Sequence, residues 1–166
     1  MLFAMEIRPA TEADIPLLRD LAQRIWRECY PGIIPPEQIE FMLGWMYSEE
    51  EIHRQLTAGI PWEIAMLDGT PVGYVSWELD DDDSVKISKL YVLPQHQRRG
   101  LGARMLDHIC ECAHALGAHA IWLQVNKRNE SAISAYLKAG FHIEKEAVFD
   151  IGGGFVMDDY LMARAV

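Results

Sequence analysis

The sequence predicts one mixed α/β (α+β) domain over residues 1–166 that contains an antiparallel meander. Three observations favour this fold class. The chain has 166 residues, half of them hydrophobic, which is enough for one core. Strand-like and helical segments follow one another in the order β, several helices, three strands, then αβαββ. Neither an internal repeat nor a linker divides the chain.

The first third of the chain is mainly helical. The predicted elements are a strand at Glu6–Arg8 and three helices, at about Asp14–Cys29, at about Glu37–Tyr47, and from after Ser48 to near Gly59. Ile15, Leu18 and Leu21 belong to the apolar stripe of the first helix, and Thr11 caps it. The Ser48 hydroxyl caps the third helix, whose first turn is favoured by three successive glutamates.

The middle of the chain changes to strands, which are predicted at Trp62–Leu67, Thr70–Leu79 and Val85–Leu93. The dipeptide Asp68-Gly69 is a strong hairpin signal between the first two strands. In the third strand the apolar residues lie at odd positions up to Ile87 and at even positions from Leu90. This change of phase predicts a β-bulge near Ser88 and Lys89, and the alternative is a strand that is covered on both faces.

The last third alternates between helices and strands. The predicted elements are a long helix that reaches Leu116, a buried strand at His119–Val125, a helix from Asn129 to Gly140, and strands at Phe141–Asp150 and Phe155–Ala163. Three consecutive glycines, 152–154, predict a flexible turn between the last two strands.

Composition and charge narrow the classes of function. Fifteen basic against 25 acidic residues give a net charge of −10, which argues against nucleic acid as a partner. Cys29, Cys110 and Cys112 form no disulfide framework and predict reduced thiols in a cytoplasmic protein. No apolar run approaches the ~20 residues needed to span a bilayer, so no membrane partner is expected. The six histidines are scattered, and no metal site is predicted.

The most informative segment is the run Gln97–Ala103, between the third strand of the meander and the long helix. Gly100 and Gly102 lack a Cβ, so the backbone there can pass close to a ligand. The helix start supplies unpaired N–H groups and a positive dipole end, and Arg98 and Arg99 add charge. These features predict a diphosphate site, and the alternative is an ordinary turn. Neither the P-loop nor the dinucleotide fingerprint fits the run.

Two blocks resemble motifs of the GNAT acetyltransferase superfamily. Gln97-x-x-Gly100-x-Gly102, after a bulged strand and before a helix, resembles the acetyl-CoA signature of Gln or Arg, x-x-Gly-x, then Gly or Ala. The residues that resemble the downstream motif are Val125-Asn126, Asn129, Ala132, Tyr136 and Gly140-Phe141. The resemblance covers about Glu6 to the end. It implies the GNAT fold, in which a mostly antiparallel bulged sheet is flanked by helices, and acetyl-CoA as cofactor.

The resemblance also implies which residues hold the cofactor. These are Leu90, Tyr91 and Val92 along the pantetheine arm, Gln97, Arg98, Arg99, Gly100, Leu101, Gly102 and Ala103 around the diphosphate, and Asn126, Asn129 and Tyr136. The last two are seven residues apart and share one helix face, about 10 Å apart. One would bond the pantetheine amide, and the other would lie beside the thioester sulfur. Asn129 also suits the N-cap of its helix.

Direct transfer of acetyl to an amine in a ternary complex needs an acid and a base. Tyr136 is expected to protonate the leaving thiolate. The base is less defined, because Lys86 and Ser88 stand where family members often carry a glutamate. Glu78 is the first expectation for the base. The alternatives are Glu28, Asp158 and Asp159, and each of these four also reads as an ordinary surface carboxylate.

The acceptor is expected beside the first helices, where the aromatic and apolar candidates are Trp26, Tyr30, Trp45, Met46 and Tyr47. Their helical spacing fits a plain core equally well. The run Asp150–Tyr160 resembles the PaiA-type polyamine acetyltransferases, so the leading expectation is a small-molecule amine such as a polyamine. The alternatives are a protein N-terminal or lysine acetyltransferase and a non-catalytic acyl-CoA-binding module. The sequence leaves open whether the chain forms a homodimer.

Overall fold

A computed structural model describes residues 4–166. The strands are β1 (Met5–Pro9), β2 (Trp62–Leu67), β3 (Thr70–Leu79), β4 (Ser84–Val92), β5 (Ala120–Asn126), β6 (His142–Gly152) and β7 (Phe155–Ala165). The helices are α1 (Ile15–Cys29), α2 (Pro36–Met46), α3 (Glu49–Thr57), α4 (Leu101–Ala115) and α5 (Glu130–Lys138). Each lies within a few residues of the segment that the sequence predicts. None of the helices in residues 4–166 is long and apolar enough to cross a bilayer.

The strands form one mixed sheet in the order β1-β2-β3-β4-β5-β7-β6. Only the pair β4–β5, which α4 connects, is parallel within the described chain. Alternate residues of β3 face opposite sides, so Val75 packs with the α4 and α5 cluster and Tyr74 with the α1–α3 cluster. The sheet therefore separates two hydrophobic clusters, and this architecture confirms the predicted fold class.

The bulge that the sequence predicts lies at Ser88. Lys89 pairs with Ser76, whereas Ile87 pairs with Trp77, so Ser88 is the extra residue of β4. The parallel pairing of β4 with β5 covers Ser84–Ile87 and stops at the same point. Beyond Ile87 the two strands diverge, which leaves the β5-facing edge of residues 88–92 without a strand partner and opens a cleft.

Two local details follow the turn and cap chemistry of the sequence. Asp68 and Gly69 both have positive φ, +49° and +81°, as a mirror-image hairpin turn requires. The first helix begins at Ile15, one residue later than predicted, because a short 3₁₀ turn precedes it. Asp14 ends that turn and accepts two hydrogen bonds of 2.9 Å from the Arg8 guanidinium, which joins β1 to the start of α1.

Candidate functional site

A cavity of about 1690 Å³ occupies the cleft where β4 and β5 diverge. Its wall combines the free edge of β4, the loop before α4, one side of α5 and the connection between α1 and α2. The predicted cofactor residues that line it are Leu90, Tyr91, Val92, Gln97, Arg98, Gly100, Leu101, Gly102, Ala103, Asn126, Asn129 and Tyr136. Arg99, the other predicted one, is exposed and lies off the wall.

The loop before α4 presents a cluster of main-chain donors to this cavity. The N–H groups of residues 98–103 find no acceptor within the described part of the chain. Arg98 and Gly100 have φ of +62° and +78°, and left-handed residues in such a loop shape a concave anion site. A Cβ on Gly102 would meet nothing within 4 Å. The space above the helix start is therefore open, and these residues fit the diphosphate of coenzyme A.

Gln97 has a structural part in this loop. Its Nε2 donates a hydrogen bond of 3.0 Å to the carbonyl of Val92 and lies 3.6 Å from Sγ of Cys29. The side chain thereby connects the loop to the end of β4 and to the last turn of α1. Gln97 holds the donor cluster in position beside the free edge of β4.

The α5 residues occupy the opposite side of the cleft. Asn129 Oδ1 accepts a 3.3 Å hydrogen bond from the Ala132 N–H, so the N-cap expectation for Asn129 is confirmed. Tyr136 lies two turns further along, with its ring centroid 5.6 Å from that of Phe141. Burial, and then charge on Tyr30, raises the pKa of Tyr136 above its ordinary value. Its hydroxyl therefore stays protonated at neutral pH and is available as a donor.

Four of the five residues that the sequence predicts for the acceptor side line the cavity and form its aromatic wall. Trp26, Tyr30, Trp45 and Met46 line the cavity, whereas Tyr47 is buried behind the wall. The Tyr30 and Tyr91 hydroxyl groups are 3.0 Å apart. Burial raises the pKa of Tyr30 to about 12, so this pair is uncharged near pH 7.

Lys89 is a cavity residue that the sequence analysis missed. Its ammonium lies 4.7 Å from the Trp62 ring centroid and 5.7 Å from that of Tyr47. The residue is only 6% exposed, and burial lowers the pKa of Lys89 to about 8. The two buried ring faces attract this cation through cation–π contacts. The sequence offered one signal for this residue, since Lys89 is a lysine next to the predicted bulge.

The carboxylates considered as the base are dispersed. Glu78 is not on the cavity wall, whereas Lys86, with which it pairs across β3 and β4, lies on that wall. Glu28 is exposed at the wall. Asp158 is exposed and binds Lys127 at 2.8 Å. Asp159 is fully buried, off the wall and without a partner in residues 4–166 for either carboxylate oxygen.

Comparisons with known proteins agree with this geometry. Residues 18–141 match the model of the acetyltransferase (GNAT) family. An uncharacterised N-acetyltransferase of Mycobacterium tuberculosis is 32% identical over 155 residues, or 93% of this chain and 97% of the relative. A spermidine N(1)-acetyltransferase of Thermoplasma acidophilum is 25% identical over 160 residues, or 93% and 96%. The crystal structure of PaiA N-acetyltransferase from T. acidophilum in complex with coenzyme A has a TM-score of 0.84 at 24% identity, over 98% and 99% of the two chains.

Proposed function

Since this chain belongs to the GNAT family and is an N-acetyltransferase that uses acetyl-CoA, we propose that it acetylates a primary amine of a small molecule by direct transfer. The observation that carries the proposal is the continuity of one cavity, from the open donor cluster before α4 to the aromatic wall of α1. A single space of this kind brings both substrates together, which a ternary complex requires.

The chain's own groups would orient acetyl-CoA along the cleft. The N–H groups of residues 98–103 and the Arg98 guanidinium hold the diphosphate. The free edge of residues 88–92 offers main-chain groups to the pantetheine arm, as to an added strand. Asn126 and Asn129 line the other side of the arm. In this orientation the thioester lies between the bulge of β4 and Tyr136.

Two donors would then act on the thioester, whose acetyl group is what the cofactor supplies. A main-chain N–H at the free edge near Leu90 stabilises the charge that develops on the carbonyl oxygen. The Tyr136 hydroxyl donates to the leaving sulfur, and its raised pKa keeps its proton in place until the thiolate forms.

Polyamines are the first substrate class to test. The similarity to a spermidine acetyltransferase, at 25% identity, supports them. Within the cavity, the carboxylates of Glu28 and Asp150 lie at exposed positions of the wall, where each would attract a second ammonium group of the acceptor.

A thiol-release assay on a panel of acceptors tests the proposal. The panel contains spermidine, spermine, simple alkyl amines, and peptides with a free N-terminus or a lysine. We expect turnover with small amines and the highest kcat/KM with a polyamine. Faster transfer to a peptide would favour a protein acetyltransferase. Binding of acetyl-CoA by calorimetry without transfer to any acceptor would favour a non-catalytic module.

A further inference from the structure

Lys89 is a titratable residue of the cavity wall to which the proposed transfer assigns no part. Lys89 follows the bulge residue Ser88 directly and precedes Leu90 at the free edge of β4. Its side chain shares a strand face with Tyr91, whose hydroxyl contacts Tyr30 on the acceptor wall. Lys89 lines the cavity, and its side chain lies on the same side of the sheet as the acceptor wall, next to the strand segment where the thioester is expected.

The Lys89 ammonium is buried without a direct counter-charge. No carboxylate lies within 4.0 Å of it and no hydrogen bond holds it in the described residues 4–166. Its neighbours are the ring faces of Trp62 and Tyr47. The carboxylate of Glu51, also on the wall, is bound by Arg54 at 2.6 Å and by Gln55 at 2.8 Å. Lys89 is thus not a member of a structural ion pair.

The charges around Lys89 decide its protonation. Burial is the main cause that lowers the pKa of Lys89 to about 8; the positive charge of Lys86 acts in the same direction, and the charges of Glu51 and Glu78 oppose it. Burial keeps the Tyr47 hydroxyl neutral by raising its pKa well above 10. About 10% of a group with pKa 8 is neutral at pH 7, against roughly 0.04% of an ordinary lysine.

We propose that Lys89 is the base that removes the proton from the acceptor ammonium, an inference that rests on the proposed acetyltransferase function. Neutral Lys89 takes the first proton and later passes it to solvent. The freed amine nitrogen bonds to the acetyl carbon, and the carbon–sulfur bond breaks. Tyr136 protonates the thiolate and regains a proton from the new amide nitrogen. The products are the acetylated amine, free coenzyme A and one proton in solution.

Lys89 suits this role better than Glu51, Asp159 or Glu78. Glu51 lies on the wall, but the guanidinium of Arg54 lowers its pKa to about 2, which makes it a weak base. Asp159 and Glu78 do not line the cavity. A lysine with a pKa near the working pH is a good proton acceptor, and its cation is stabilised by the aromatic rings as it forms.

The test compares Lys89→Arg and Lys89→Met with the wild type, using the alkyl amine that the wild type acetylates fastest. Arginine keeps a cation but cannot accept a proton near pH 7. Lys145→Met, at an exposed position of β6, is the matched control. We expect both Lys89 variants to lose about 100-fold or more in kcat at pH 7 and to keep KM for acetyl-CoA within about threefold.

The pH profile separates this role from a structural one. Wild-type kcat should rise with an apparent pKa of about 8 and then level off. In both variants this inflection should vanish. The loss of kcat relative to the wild type should become smaller as the pH approaches the pKa of the acceptor amine. Near-wild-type kcat in Lys89→Arg, or a deficit independent of pH, would overturn this inference alone. So would acetylation of Lys89 itself, detected by mass spectrometry. Absence of transfer by the wild type to every amine would overturn both proposals.

Discussion

At the scale of single residues, burial shifts the pKa of two ionisable side chains, those of Asp159 and Lys89. Asp159 on β7 is the clearest case, because neither carboxylate oxygen has a hydrogen-bond partner in residues 4–166. Burial, and then the charge of Asp158, raises the pKa of Asp159 to about 6. Lys89 is perturbed in the opposite direction for the same reason, since burial disfavours the charged form of either group.

Asp159→Asn should stabilise the protein at neutral pH. Between about pH 4 and 6 the native state holds a proton that the unfolded chain has released, so the free energy of unfolding falls as pH rises through this window. We expect Asn to remove this fall and to raise the free energy of unfolding by about 1–2 kcal/mol at pH 7.5, with little change at pH 4. Urea unfolding at both pH values measures it. Asp81→Asn, in an exposed loop, is the control; equal effects of both variants would contradict the prediction.

Tyr136→Phe should affect chemistry much more than binding. Phenylalanine keeps the packing on Phe141 but has no proton to donate to the thiolate. We expect kcat to fall about 100-fold or more, while the Kd of acetyl-CoA by calorimetry changes less than about threefold. Tyr160→Phe, on β7 and off the cavity wall, should keep wild-type kcat. Unchanged turnover in Tyr136→Phe would remove this hydroxyl from the mechanism.

At the scale of elements, the start of α4 combines two glycines with different structural demands. Gly100 is the N-cap residue and has φ of +78°, a conformation that side chains with a Cβ adopt only at a cost. Gly102 has no positive φ and lies in the first turn of the helix, beside open space. The first glycine therefore sets the turn, and the second keeps the helix end accessible.

Alanine substitutions at these two glycines should have opposite effects on stability. Gly100→Ala should lower the free energy of unfolding by about 1–2 kcal/mol, because of its left-handed backbone. Gly102→Ala should leave it unchanged or raise it by up to about 1 kcal/mol, because alanine favours a helix and meets no neighbour there. Urea denaturation of both variants tests this, and a destabilised Gly102→Ala would show that the space is not open in solution.

At the scale of the whole molecule, the sheet is continuous at one end of β4 and divided at the other. The parallel pairing of β4 with β5 holds up to Ile87, and the cleft begins at Ser88. Hydrophobic clusters on both faces support the paired half. Acetyl-CoA would complete the divided half, so binding should be coupled to global stability.

Acetyl-CoA should therefore raise the melting temperature. At 100 times Kd, binding to the native state alone adds about 2.7 kcal/mol, which is roughly 5–10 °C for a domain of this size. Differential scanning fluorimetry with acetyl-CoA, coenzyme A and pantetheine measures it. Pantetheine lacks the diphosphate and should give a much smaller shift. An equal shift from pantetheine would contradict the role of the donor cluster before α4.

The sequence by itself determined the order of the elements, the hairpin at Asp68-Gly69, the bulge near Ser88 and the glycine loop before the long helix. These features depend on periodicity, turn chemistry and caps, which act over a few neighbouring residues. The same local patterns, matched in two blocks, were enough to indicate the family and its cofactor.

Only the tertiary structure decided which side chains share the cavity. It kept Glu78 off the cavity wall, although its cross-strand partner Lys86 lies on that wall. It brought Lys89 over Trp62, 27 positions away in the chain, and buried Asp159 without a partner. The pKa of such groups depends on burial and on charges from distant segments, and no local pattern in the sequence carries that information.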